Sequence, residues 1–175
     1  MKTNNTIFHG RYLFKITFIL SSFIFCTLKS QSRTLAITGN NWTVTIPSIT
    51  EAGSNYAGIY ESATNQILLT AEVPLLLASG KVSVSYAPDP TWNSNLVLSA
   101  KRTGNGTTVC VLCSITGGTA YQTLTLTDVE LFRINAVLAL ASYSNIPIQL
   151  QLSGVSVTIP VATYNSKIIF TISAL

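Results

Sequence analysis

The chain has 175 residues, 47% of them apolar and only 9% charged, with ten Lys or Arg, six Asp or Glu and one histidine. That length holds one domain with a sizeable core. Charge this sparse excludes the basic stripe that nucleic acid requires, and a lone histidine excludes a catalytic or metal centre built on several.

Lys2, Arg11 and Lys15 precede the uncharged run ITFILSSFIFCTL, residues 16–28. A basic start followed by a short apolar run is the pattern of a secretory signal peptide. The run has 13 residues, whereas a membrane-spanning helix needs about 20. The expectation is a signal peptide over residues 1–30, cleaved after Ser30 or Ser32, and a single domain over 31–175. Phe25 is bulkier than the small residue that precedes the cysteine of a lipoprotein signal, which disfavours a lipid anchor at Cys26. His9, Lys2, Arg11, Lys15 and Lys29 leave with the signal, so six basic residues then face six acidic ones. The mature chain is formally neutral, with no expected nucleic-acid partner and no membrane insertion after cleavage. Its expected destination is secretion or the cell surface.

From residue 33 onward, apolar and small polar residues alternate, which is the signature of strands that bury one face and wet the other. In RTLAITGNNWTVTI, Leu35 and Ile37, then Trp42, Val44 and Ile46, form an alternating run. Such a run completes a sheet, either its own or that of a neighbouring subunit, and is the candidate assembly strand. Further runs follow: Ile67, Leu69, Ala71 and Val73; Val82, Val84 and Tyr86; Leu96, Leu98 and Ala100; Leu124 and Leu126. Ile148, Leu150 and Leu152, then Val155, Val157 and Ile159, then Ile168, Phe170 and Ile172 complete the series. Turn signals separate them at 38–41, 88–90, 103–106, 116–118 and Gly154. Parallel strands covered on both faces would show continuous apolar runs instead. The fold class is therefore all-β, an antiparallel sandwich. Residues 127–143 admit two readings. Leu131, Ile134, Leu138 and Ala141 have helical spacing behind a Thr127–Glu130 capping box, but Phe132, Ile134 and the run from Val137 also suit a strand pair, and the surroundings favour it. The tetrapeptide VTIP occurs at 44–47 and again at 157–160. Both copies read as comparable strands ended by a proline, which cannot donate to a ladder.

Catalytic chemistry is nearly absent. Without histidine the mature part cannot build a Ser-His-Asp or Cys-His system. Asp128 and Glu130 share a strand face, but such a pair reads as solvated surface before it reads as a glycosidase pair. Cys110 and Cys113 lack the further ligands zinc requires and sit among β-branched residues rather than at a helix start. They read as a local disulfide or as structural thiols. Trp42, Trp92, Tyr56 and Tyr60 lie near Asn-rich turns and are the candidate ligand-contact aromatics, with carbohydrate as the stacking partner; packing at the ends of the sandwich is the competing reading. Asn41 and Asn105 begin N-x-T patterns, which matter in a eukaryotic secretory route. No cofactor is expected.

The ending LSGVSVTIPVATYNSKIIFTISAL is an alternating strand, Pro160, a short turn to Tyr164, then a final alternating strand. This C-terminal hairpin pattern resembles the ending of secreted pilin-like β-sandwich subunits of the spore-coat-U-like and chaperone–usher types. The resemblance implies an immunoglobulin-like sandwich and a structural, surface-associated role. It covers roughly the last 30 residues. Cys110 and Cys113 depart from it, because those families bridge distant strands. The functional expectation is a non-catalytic structural or adhesive protein, a pilus or filament subunit that associates with itself or with other surface proteins; the alternative is a secreted carbohydrate-binding module.

Overall fold

The computed structural model describes residues 32–74, 79–136 and 141–175. The expected signal peptide, with His9 and Cys26, lies outside the described residues, as does Leu138. Among the described residues there are eleven strands and no helix, hence none long and apolar enough to cross a membrane. The strands are β1 Thr34–Gly39, β2 Ile59–Glu61, β3 Ile67–Val73, β4 Ser79–Pro88, β5 Val97–Arg102, β6 Thr107–Thr108, β7 Ser114–Thr116, β8 Gln122–Thr123, β9 Val129–Asn135, β10 Ala141–Ser153 and β11 Ser166–Ala174. They form two sheets. One runs β1-β3-β10-β5-β8, with β2 and β6 also paired to β10; the other runs β11-β4-β9-β7. All pairings are antiparallel.

The 13-residue β10 organises the first sheet. One of its sides meets β3 and then β2, and the other meets β6 and then β5. Proline suits a strand interior only where a ladder bond is already lost. Here the register of β10 against β3 shifts between Tyr143 and Ile146, with Asn145 at φ 56°. Pro147 follows this bulge, and its carbonyl accepts from the Thr103 amide at 2.9 Å.

The alternating residues of both sheets meet in one core. Leu69, Ala71 and Val73 of β3, Val82 and Val84 of β4, Ala100 of β5, Phe132 and Ile134 of β9, and Ile146 and Ile148 of β10 are fully buried. The described residues of segment 127–143 contain β9 and the start of β10. Its helical appearance has a local cause. The β4–β9 register shifts between Val82 and Ser83, so that Phe132 and Glu130 oppose consecutive residues and Leu131 is the extra one. Leu131, Phe132 and Ile134 are consequently all buried, because a bulge resets the phase of alternation.

Three expected strands do not form. Residues 42–47 lie outside every strand. The β1 register ends with Gly39 opposite Ile67, and Ile67 is the first residue of β3, so β3 offers the chain beyond Gly39 no further partner. Trp42, Val44 and Ile46 still alternate as half-buried against exposed Thr43 and Thr45. Residues 155–159 are also outside any strand, and Ile159 donates to the Ser156 carbonyl in a turn at 3.1 Å. The chain leaves the sheet at Gly154, whose φ is 81° and where a Cβ would strike the Asn95 carbonyl. The two VTIP copies are therefore not comparable strands. Nor do β10 and β11 form a C-terminal hairpin: they belong to different sheets. Finally, Leu124 and Leu126 do not share a face. Leu124 is buried and its amide donates to Leu98 of the first sheet, whereas the Thr125 carbonyl accepts from Tyr86 of the second. The chain changes sheets between them, leaving Leu126 67% exposed.

Candidate functional site: free strand edges and a stapled tip

A strand at the margin of a sheet presents unpaired amides and carbonyls that a further strand can satisfy. β11 is such a margin. It pairs with β4 in unbroken register from Ser166 opposite Pro88 to Ala174 opposite Gly80. Its other side has no backbone partner among the described residues. Lys167 is its only charge. Phe170 is buried, Ile168 and Ile172 pack against the core, and Ile169 on the opposite face is 46% exposed.

β1 is the corresponding margin of the first sheet and lies against β11. Arg33 anchors its start by donating from Nε and Nη2 to the Ser79 carbonyl at 3.0 and 2.9 Å. Of the candidate assembly residues, Leu35 and Ile37 are in this strand, paired with the protein's own β3. Trp42, Val44 and Ile46 are not in a strand.

A second exposed feature joins the two sheets. β6 pairs with β10, β7 pairs with β9, and the connection between them carries Cys110 and Cys113, bonded as a disulfide with Cα atoms 5.5 Å apart. Val109 and Val111 are 94% and 93% exposed, and Leu112 65%. No charged residue occurs between Arg102 and Asp128, so this end of the molecule is an uncharged aliphatic tip. Arg102 is buried at its root. Its guanidinium donates to the carbonyls of Gly104 and Gly117 and to Asn105 Oδ1, and it lies 6.0 Å from the centre of the Phe132 ring. Burial lowers the Arg102 pKa, and the Tyr143 hydroxyl opposes that shift. The bonds to the Gly104 and Gly117 carbonyls give Arg102 a loop-fastening role.

The four candidate aromatics occupy separate settings. Trp92 is half-buried, its ring 6.0 Å from that of Tyr86 and tilted by 54°, with its indole nitrogen buried and unpartnered. Trp42 packs against the core. Tyr56 lines an open hollow of about 770 Å³ with Ile49, Glu51 and Val157. Tyr60 sits on β2, and its hydroxyl is also buried without a partner.

A different aromatic gathers polar neighbours on the outer face of the first sheet. The Lys101 ammonium lies 4.3 Å from the centre of the Tyr121 ring. Gln151 donates to Glu61 at 3.0 Å, and Gln149 donates to the Ser62 carbonyl at 2.9 Å. Burial pushes the Tyr121 hydroxyl up to about 12, and the neighbouring Glu61 carboxylate adds to the shift without meeting full hydrogen-bond geometry. Residues 61, 101, 121 and 149 are remote in sequence, and only the β2–β10–β5–β8 pairing brings them together.

The acids have ordinary structural partners. Asp128 accepts from the Ser85 hydroxyl at 2.7 Å. Glu130 accepts from Arg133 at 2.6 and 2.9 Å, a bond that lowers the Glu130 pKa and raises that of Arg133. No group of three or more His, Cys, Asp or Glu among the described residues is placed to hold a metal. The most developed surface features among the described residues are thus backbone edges and exposed apolar side chains.

No family model, curated protein or solved structure matches the chain.

Proposed function

We propose that the protein is a non-catalytic structural or adhesive protein of the cell surface or the secreted fraction, built on an immunoglobulin-like sandwich behind a signal peptide over residues 1–30. In this reading it is a pilus or filament subunit, and its subunits associate through strand edges. The observation that carries the reading is the nine-residue edge of β11, without a backbone partner among the described residues, regular throughout and bearing a single lysine. Natural sheets protect long edges with charges, prolines or bulges, and β11 has one charge, no proline and no register shift. An edge that β1 approaches but does not hydrogen-bond is accounted for by a partner strand. The uncharged tip at Val109–Cys113 supplies a second adhesive surface. The experiment is electron microscopy of the exported protein together with its mass in solution across a concentration series. Filaments or discrete oligomers are expected; a strict monomer at high concentration defeats the reading.

The second reading is carbohydrate binding, favoured by the Tyr121, Lys101, Glu61, Gln149 and Gln151 cluster. An aromatic ring flanked by amides and a carboxylate supplies both stacking and hydrogen bonds. A glycan array probed with the protein and with Tyr121→Ala tests it, and retention of all binding in the variant removes that face from consideration.

A further inference from the structure

The β11 edge suits one partner in particular, the same edge of a second copy. We propose that two copies pair β11 against β11, antiparallel, about a two-fold axis through Phe170, so that the β11-β4-β9-β7 sheet continues across both molecules. The proposal rests on the structural-subunit reading and assigns its first contact a partner and a register.

The length of the edge selects β11. Among the described residues the other sheet margins are the six-residue β1, the three-residue β2 and β7, and the two-residue β6 and β8, whereas β11 runs nine residues in unbroken register with β4, its other side approached by β1 without a backbone hydrogen bond. Symmetry selects the register. Centring the pair on Phe170 engages the whole strand, from Ser166 opposite Ala174 to its mirror image, and any other centre leaves one end unpaired. Charge agrees with that choice. The only charged residue, Lys167, then faces Ser173 of the second copy, and no like charges are opposed, an arrangement that cross-strand energetics require. Apolar residues match as well. Ile168 faces Ile172 and Phe170 faces itself, extending the layer that already packs on the core. On the outer face, the half-exposed Ile169 is covered by Thr171 of the second copy. A two-fold contact uses the same surface on both molecules and closes on itself. It removes the β11 edges and leaves the aliphatic tip and the β1 edge for any further growth.

Two variants with one added cysteine read the register directly, each in a background in which Cys26, Cys110 and Cys113 are replaced by Ser and each with its fold checked by circular dichroism. Directly opposed residues on one face lie close enough for their side chains to bond. Ile169→Cys and Thr171→Cys are therefore expected to cross-link on mild oxidation only when the two are mixed, and neither alone. The mixed species should appear at twice the chain mass. Charge variants at Ser173 give an independent readout. Ser173→Lys sets like charges against Lys167 twice per dimer and should weaken dimerisation on the order of tenfold, while Ser173→Glu should strengthen it by a similar factor. Cross-linking of either cysteine variant alone, or its absence in the mixture while the protein still associates, overturns the β11 pairing and leaves the structural-subunit reading standing. Equal effects of the two Ser173 variants on association overturn it in the same way. A protein that stays monomeric at every concentration overturns both.

Discussion

Two five-residue stretches, WTVTI at 42–46 and VSVSY at 82–86, share one pattern and meet different fates. In both, apolar residues alternate with Thr or Ser. The second lies inside β4 between β11 and β9, and Val82 and Val84 are fully buried. The first has no ladder partner, and Trp42, Val44 and Ile46 are only half-buried. Alternation sets which way side chains point along an extended chain. Membership of a sheet depends on whether a neighbouring strand still has residues to offer, and β3 has none beyond Ile67 on that side. The paired stretch should therefore carry stability that the unpaired one does not.

The largest expected effect lies beside the paired stretch. Phe132 faces Val82 across the β4–β9 ladder and is fully buried. Phe132→Ala removes a large apolar side chain and leaves a cavity, at a cost of about 3–5 kcal/mol. Urea unfolding should show the midpoint falling with an unchanged slope. A loss below about 1 kcal/mol would mean that this part of the interior is not close-packed.

Next comes a substitution that keeps shape and changes polarity. Val84→Thr replaces a methyl with a hydroxyl in the dry interior. An incompletely compensated hydroxyl there costs about 1–3 kcal/mol, again read from the urea midpoint. Stability equal to the parent would show that the Val84 site admits a hydrogen-bond partner for the hydroxyl.

What could be read from the sequence, and what could not, follows the same division. The runs at 67–73, 82–86, 97–100, 148–152 and 168–172 lie in strands with the expected faces inward, because each has partners along its whole length. The VTIP copies read identically to these runs, since a missing partner leaves no mark on a local pattern. The bulge at Leu131 disguised a strand as a helix by shifting its phase. The Tyr121 cluster carries no local signal, since its members come from four separate strands or their flanks. The two edges were only half legible. The β1 run was visible as an alternating segment, whereas the free edge of β11 depends on sheet order, which periodicity does not encode.

A pH ramp distinguishes the paired region in another way, with a smaller effect confined to alkaline solution. The stretch 42–46 has no titratable group. Tyr121, next to β8, has its pKa raised from 10.0 to about 12 by burial and by Glu61. Below pH 10 the folded and unfolded chains both hold this proton, and its stabilising contribution is fully present. Above that the unfolded chain releases the proton first, so stability falls as pH rises toward about 12. The difference between the parent and Tyr121→Phe, followed by urea midpoints from pH 9 to about 12, isolates this group. Parallel curves for the two proteins would remove the tyrosine from the alkaline transition.

The smallest effect is the one that bears most directly on the comparison. Val44→Thr makes in the unpaired stretch the change that Val84→Thr makes in the paired one. Val44 is half-buried, its neighbours Thr43 and Thr45 are exposed, and no backbone ladder runs beside it. A new hydroxyl there can turn to solvent, so none of the desolvation that penalises the interior site applies. Surface changes of this kind fall within about 0.5 kcal/mol of the parent. The two valine variants, measured side by side, should thus differ by about 1 kcal/mol or more for identical chemistry. Equal losses would mean that residues 42–46 are held in the protein as firmly as β4, most directly by a strand partner supplied from a second molecule, and would shift the assembling element from β11 back to the N-terminal segment.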